Sequence, residues 1–366
     1  MKPLTHVAGT FVIHADASFL NGAGLGEGEN RNVTIPKTLQ DGKDYVPYVS
    51  SQAWKRWLRN TLIEETGWPA SELEAIDYSA KGTVNKIAGK LDPVNFPEDD
   101  LFGYMRAQEG QGKATKKQAE EEFEEDVSEG DTGSTKSLKT KAVVRASPFS
   151  ASLLVSLRKR GWRGRDEGFV HLKEGTPLPY TTEFYTTHLQ AIFCLAHYRV
   201  GRFENAGDRI ELEDTKAKKY AAEGRLKVDG STYVLADGGK VRKERCGALL
   251  KALSVLRGGA KQAAFGTDVA PKVLVLAGMS CGNPIFNHLF EDEQSGLIFR
   301  GKVLSEVIQD YADRLATPVY IGIRGGSVKN EDDVRALAGS HQFDRGAVQI
   351  VVSTPREAAE LVANLL

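Results

Sequence analysis

The sequence predicts an α+β fold whose elements run β-α-β-β-α-β, the ferredoxin-like or RNA-recognition order. Three observations lead to it. β-rich runs at 7–15, 143–156, 183–199 and 271–277 alternate with amphipathic helical patterns at 51–64 and 242–257. Two polar stretches, 106–141 and 202–240, interrupt that order with charged and small residues. A chain of 366 residues with 41% hydrophobic content can close one large, elaborated domain around such a core.

The first strand rests on Val7, Phe11 and Ile13, which share one parity. Beyond Asp16, the glycine-rich segment 21–28 satisfies no GxGxxG frame, because the last glycine falls on Glu27 or Glu29, and a mobile loop is expected there. In the first helix, Ser50 or Ser51 can cap the N-terminus. Trp54, Trp57, Leu58 and Thr61 make one face, and Lys55, Arg56 and Arg59 make another. Free N–H groups at a helix start, two serine hydroxyls, Gln52 and Arg56 suit a phosphate. The same residues also read as a capped amphipathic helix with a solvated basic side.

Pro148 breaks or bulges the strand at 143–156. Arg158, Lys159, Arg160, Arg163 and Arg165 then surround Trp162, and 169–172 reads as the return arm of a hairpin. Cations for phosphate and a ring for base stacking are what a single-stranded nucleic acid requires. Cys246, Leu249, Leu250, Leu253 and Leu256 mark the second helix, which delivers Arg257-Gly258-Gly259-Ala260-Lys261-Gln262. Two glycines let backbone pass close to a ligand, and Arg257, Lys261 and Gln262 supply donors, as in an anion cradle. A solvated connection would have the same composition. Beyond the core, a helix at 301–316, strands at 318–323 and 347–352, and a helix from about 355 form an extension.

Composition excludes several classes. Forty-eight basic residues against 49 acidic ones leave a net charge of −1, so a surface for nucleic acid has to come from segregated charge. The three cysteines are far apart and lack CxxC spacing, which fits a reducing cytoplasm and neither a disulfide framework nor a zinc site. With no apolar signal core and no run near ~18 apolar residues, no membrane is expected as a partner. Seven histidines without HExxH spacing imply no metal, and nothing implies a cofactor. Gly278-Met279-Ser280-Cys281-Gly282 matches GxSxG, with His288 and His341 downstream. However, Asn283-Pro284 interrupts the helix that a hydrolase elbow needs, so no catalytic residue is assigned.

The segments 48–59, 100–105, 145–156, 182–190 and 257–271, taken together and in this order, resemble the backbone subunit of type I CRISPR interference complexes (Cascade). The similarity is to the type I-B DevR/Cst subgroup of the seventh Cas family, in the RAMP superfamily, over nearly the whole chain. The resemblance implies a modified RNA-recognition palm at 5–65, 143–156, 183–200 and 241–278. It further implies a finger-like insertion at 66–142, a thumb at 157–182, another insertion at 202–240 and an extension at 297–366. An aromatic RNP motif is not evident. The implied function is that of a non-catalytic scaffold. Copies would polymerise along CRISPR RNA, hold its phosphates and present the guide to target DNA beside other Cascade subunits. Ser50, Ser51, Gln52, Arg56, Arg145, Gly258, Gly259, Lys261 and Gln262 would be the RNA-binding positions, with Arg257 alongside and the Arg158–Arg165 cluster in the thumb. Type III relatives cut target RNA with a loop aspartate, to which Asp16 would correspond, and the DevR label points to a transcriptional regulator as a third class.

Overall fold

Alternation along the first strand, His6–Ser18, sets the layers. Val7, Phe11, Ile13 and Ala15 enter one apolar cluster, and Ala8 and Val12 enter another on the opposite side of the sheet. In this computed structural model, which describes residues 2–28, 31–71, 73–78, 84–106, 142–170, 178–207, 209–293 and 296–366, the strand is central. It runs antiparallel to the long strand Leu178–Leu195 on one side (Val7 opposite Leu195) and to Val273–Met279 on the other (Val12 opposite Val273). The long strand's far edge takes Phe149–Ala151 and Leu154–Ser156, also antiparallel. In chain order the four core strands therefore lie fourth, first, third, second, as β-α-β-β-α-β folding requires.

Pro148 shapes the second of these strands. It has no N–H to give a ladder, and the chain changes sheets around it. Val143–Arg145 pairs with Tyr104–Arg106 in a separate sheet, whereas Phe149 onward joins the core. The expected strand at 143–156 is thus three short ones.

Both core helices, Ser51–Thr66 and Gly238–Ser254, pack on one face of the sheet. Trp54, Leu58 and Leu62 from one, and Leu249 and Leu253 from the other, meet Phe11 and Ile13. The C-terminal helix Pro355–Leu365 adds Ala358, Ala359 and Val362 to that layer. On the other face, Leu304 and Ile308 of the helix Gly301–Tyr311 cover Ala8, Val12, Val273 and Val275. The extension therefore buries the sheet surface around the first strand. Its strand Val319–Ile323 continues the sheet antiparallel to Val273–Met279, followed by Gly346–Ser353 in parallel and Gly339–Phe343 at the edge.

Two expectations change. The glycine-rich segment after Asp16 is not an open loop: Gly22–Leu25 pairs with Val33–Pro36. In the arm, Arg163–Val170 is the outgoing strand and Leu178–Leu195 begins as its return, so 169–170 close the outgoing strand and 171–172 lie outside the described residues. The insertion at 202–240 packs Phe203, Leu212, Ala217, Tyr220, Leu226 and Leu235 with Val94 into a separate apolar cluster. The expected mobile stretch at 106–141 falls, from 107, outside the described residues.

Candidate nucleic-acid interface

Ser50 is extended (φ −63°, ψ 148°) and its hydroxyl accepts from the Ala53 N–H at 3.3 Å, which makes it the cap of the first helix. Its own N–H donates to Asn21 Oδ1 at 3.1 Å. Helix geometry leaves the Ser51 and Gln52 N–H groups without intrahelical acceptors, at the positive end of the dipole. Gln52 and Arg56, one turn apart, are exposed. They line a groove of about 550 Å³ together with Lys55, Arg59, Glu98 and Phe102. Within the groove, Arg59 is held by Glu98 at 2.9 Å, and Lys55 donates to Ser147 Oγ at 3.2 Å. Burial, and then the nearby Arg59 charge, hold the Lys55 ammonium below its ordinary pKa. Arg56 meets no carboxylate among the described residues, so its charge faces outward.

The Arg257–Gln262 loop folds back onto this helix and onto the segment after the first strand. Arg257 N–H donates to Thr61 Oγ1 at 3.0 Å. Gly258 (φ 151°) lies against Trp57, where a Cβ would collide with the ring, and at Gly259 (φ 116°) a Cβ would come within 2.8 Å of Leu20 Cδ2. The two glycines therefore admit protein side chains, not a ligand. The Gln262 carboxamide donates to the carbonyls of Gly258 and Thr267, so its N–H groups brace the loop. The Arg257 guanidinium pairs with Glu64 (3.0 Å) and Glu65 (2.8 Å) in the helix's last turn, about 20 Å along the axis from Ser50. Lys261 is different. It is exposed, adopts φ 51°, donates to Thr182 Oγ1 at 2.6 Å and stands 5.1 Å from the centre of the Phe19 ring.

The junction between helix and loop is Phe19-Leu20-Asn21. Leu20 O accepts from Ala260 N–H at 2.9 Å, while the next residue, Asn21, holds Ser50. One short turn after the first strand thus fixes both the helix start and the Lys261 loop. Sequence reasoning missed Asn21, because Ser50, the partner of its side chain, lies 29 residues away and its own neighbourhood reads only as glycine-rich.

Three of the expected RNA contacts are turned inward. Arg145 has a side chain 0% exposed, ion-paired to Asp100 and to Glu211 (3.0 Å), with Phe203 4.6 Å from its guanidinium carbon. Its remaining N–H groups go to the carbonyls of Asp100 (3.1 Å), Arg199 (3.1 Å) and Arg202 (3.0 Å), leaving nothing for a phosphate. Trp162 is only 5% exposed, packs edge-on to Tyr185 and donates its indole N–H to Lys159 O at 3.2 Å, so it offers no stacking face. Arg158 pairs at 3.1 Å with the buried Asp292, which also takes His188 Nδ1 at 3.0 Å. Arg160 and Arg163 do face solvent, Arg160 paired to Asp44 at 2.9 Å and Arg163 lying over Trp162.

Asp16 is exposed at the end of the first strand and accepts from Thr186 Oγ1 at 3.3 Å. Ser280 donates to Arg314 O at 3.2 Å, and among the described residues no helix follows it before Gly301, so the strand–turn–helix of a hydrolase elbow is not formed. Among the described residues, no three His, Cys, Asp or Glu side chains are grouped to hold a metal ion, and no helix is long and apolar enough to cross a membrane.

No protein-family model matches the chain, and no curated protein matches it in sequence. Solved structures do. A chain of a CRISPR RNA-guided surveillance complex in a pre-nicking state aligns over 99% of this chain and 100% of its own, with a TM-score of 0.50 and 13% identity. Another chain, from a CRISPR RNA-guided surveillance complex, aligns over the same shares, 99% and 100%, with a TM-score of 0.49 and 14% identity. At such identity the likeness is one of fold. The chain thus shares the fold of a protein chain from a CRISPR RNA-guided surveillance complex.

Proposed function

We propose that this chain is a non-catalytic backbone subunit of a cytoplasmic type I-B Cascade complex, of the DevR/Cst kind. In this reading the Ser51 and Gln52 N–H groups, Arg56 and Lys261 grip phosphates of CRISPR RNA. Copies of the chain follow one another along the RNA, beside other Cascade subunits, and leave the guide bases to pair with target DNA. One observation carries the reading: Leu20 and Asn21 tie the helix start and the Lys261 loop to the same turn, so the free Ser51 and Gln52 N–H groups and two outward cations serve one end of the central strand. N–H groups and cations recognise backbone, not base edges, which makes the grip indifferent to sequence.

Equilibrium binding of CRISPR RNAs with unrelated spacers, measured across a salt series, tests this. Affinity is expected to fall linearly on a log–log plot, with similar slopes for all spacers. Lys261→Ala and Arg56→Ala should each weaken every RNA to a similar degree and lower the slope by roughly 0.7. Binding indifferent to salt, or confined to one spacer, would contradict the reading.

A further inference from the structure

The inward-turned Arg145 lies beneath a second cationic feature, at the opposite end of the molecule's central strand. Tyr198 N–H donates to Thr5 O at 3.2 Å, just before the first strand begins, whereas Leu20 and Asn21 follow its end. Thirteen strand residues separate the two places by roughly 40 Å. At the Tyr198 end, a pocket of about 260 Å³ is lined by Tyr198, Arg199, Arg202, Glu204, Arg209 and Glu211.

Its cations are set in advance. Glu211, 3% exposed, receives Arg145 (3.0 Å), Arg199 (3.1 Å) and Arg209 (2.7 Å). Arg145 also fixes the backbone carbonyls of Arg199 and Arg202. A buried carboxylate and a buried guanidinium therefore hold the pocket's arginines before any ligand arrives, which reduces the ordering cost of binding. Arg202 is exposed and has no carboxylate partner among the described residues. Below the rim, Arg245 joins Arg145 on Asp100 at 2.6 Å. Rim and floor together hold five guanidiniums, of Arg145, Arg199, Arg202, Arg209 and Arg245, against the three carboxylates of Asp100, Glu204 and Glu211, so the assembly keeps a positive surplus. Beside it, the Tyr198 ring is 47% exposed and touches the His6 ring in a T-shaped contact, with centroids 5.3 Å apart.

We propose that this pocket is a second nucleic-acid contact, taking a phosphate of a single-stranded segment on Arg199, Arg202 and Arg209 and a neighbouring base on Tyr198. Guanidiniums match phosphate oxygens in a fixed fork geometry. An exposed ring beside them is the companion that a nucleotide needs and a carboxylate side chain does not. Single-stranded RNA and DNA share this chemistry, a phosphate beside a base, and the two arms of the test separate them.

The test uses the full-length chain, irradiated with oligouridylate in one arm and oligothymidylate in the other, with adducts located by peptide mass spectrometry. An adduct on the peptide containing Tyr198 is expected in at least one arm. Arg202→Ala should reduce it severalfold, and Tyr198→Leu should abolish it, while both variants keep the urea unfolding midpoint of the wild type. Both substituted residues are exposed, and the unchanged midpoint reports that the fold is intact. Absence of the Tyr198 adduct in both arms overturns the proposal, as does an adduct unchanged by Arg202→Ala. Polyglutamate, added before irradiation, suppressing formation of the adduct at lower concentration than unlabelled oligonucleotide would also overturn it, in favour of an acidic protein partner.

Discussion

Lys261 holds a backbone conformation (φ 51°) that costs a non-glycine residue about 1–2 kcal/mol. The return on that strain is position: the ammonium is placed over Phe19 and against Thr182 at the edge shared with the first helix. Other single residues show themselves through pH. Burial, and then the Arg242 charge, push the His197 pKa down to about 4, and burial also lowers those of His6 and His14. A folded-state pKa below the unfolded value of about 6.5 means that the unfolded chain binds the proton first. The stability these neutral rings contribute is therefore fully present above pH 6.5 and is lost as pH falls from there toward 4. Replacing His197 with Gln should flatten the acid side of the stability profile by on the order of 2 kcal/mol. Urea unfolding at pH 7 and pH 4.5 measures this, and an unchanged difference between the two would refute the assignment.

At the scale of elements, Arg145 joins four pieces: the short helix Pro97–Phe102 through Asp100, its own strand, the insertion through Glu211 and Arg202, and, through Asp100 again, Arg245 of the second helix. Arg145→Ala would leave two buried carboxylates short of a cation, a loss of about 3–5 kcal/mol in unfolding free energy. Chemical denaturation should show it without any RNA present. A variant of wild-type stability with weakened RNA binding would instead return Arg145 to the surface role its sequence suggests. This residue also shows what a sequence exposes and what it hides. The six core elements were legible because apolar periodicity is local: Val7, Phe11 and Ile13, or Trp54 and Leu58, declare their faces within one or two turns. The partners of charges are not local. Asp100 lies 45 residues from Arg145 and Glu211 lies 66 away, so a neutralised arginine reads as an available one. Trp162 was misleading in the same way. The arginines around it are visible in sequence, while Tyr185, which covers it, comes from the opposite arm. The strand change at Pro148 was half legible: the proline announces a break but not which sheet receives the segment before it.

For the whole molecule, the three-layer build limits where the proposed contacts can lie. The helix Gly301–Tyr311 and its neighbours cover the sheet around the first strand, so that region is closed to bases. The proposed contacts lie at the ends of the central strand, one carrying Ser50 and Lys261 and the other the arginine pocket. A net charge of −1 is compatible with this, because the cations are concentrated locally while acidic residues balance them elsewhere. The most direct test of the scaffold reading is the mass of the intact assembly, purified from cells that express a CRISPR array, before and after ribonuclease. The account predicts several copies of this chain on one small RNA of defined length, falling apart when the RNA is digested. A lone chain without RNA, or an assembly whose mass ribonuclease leaves unchanged, would contradict it.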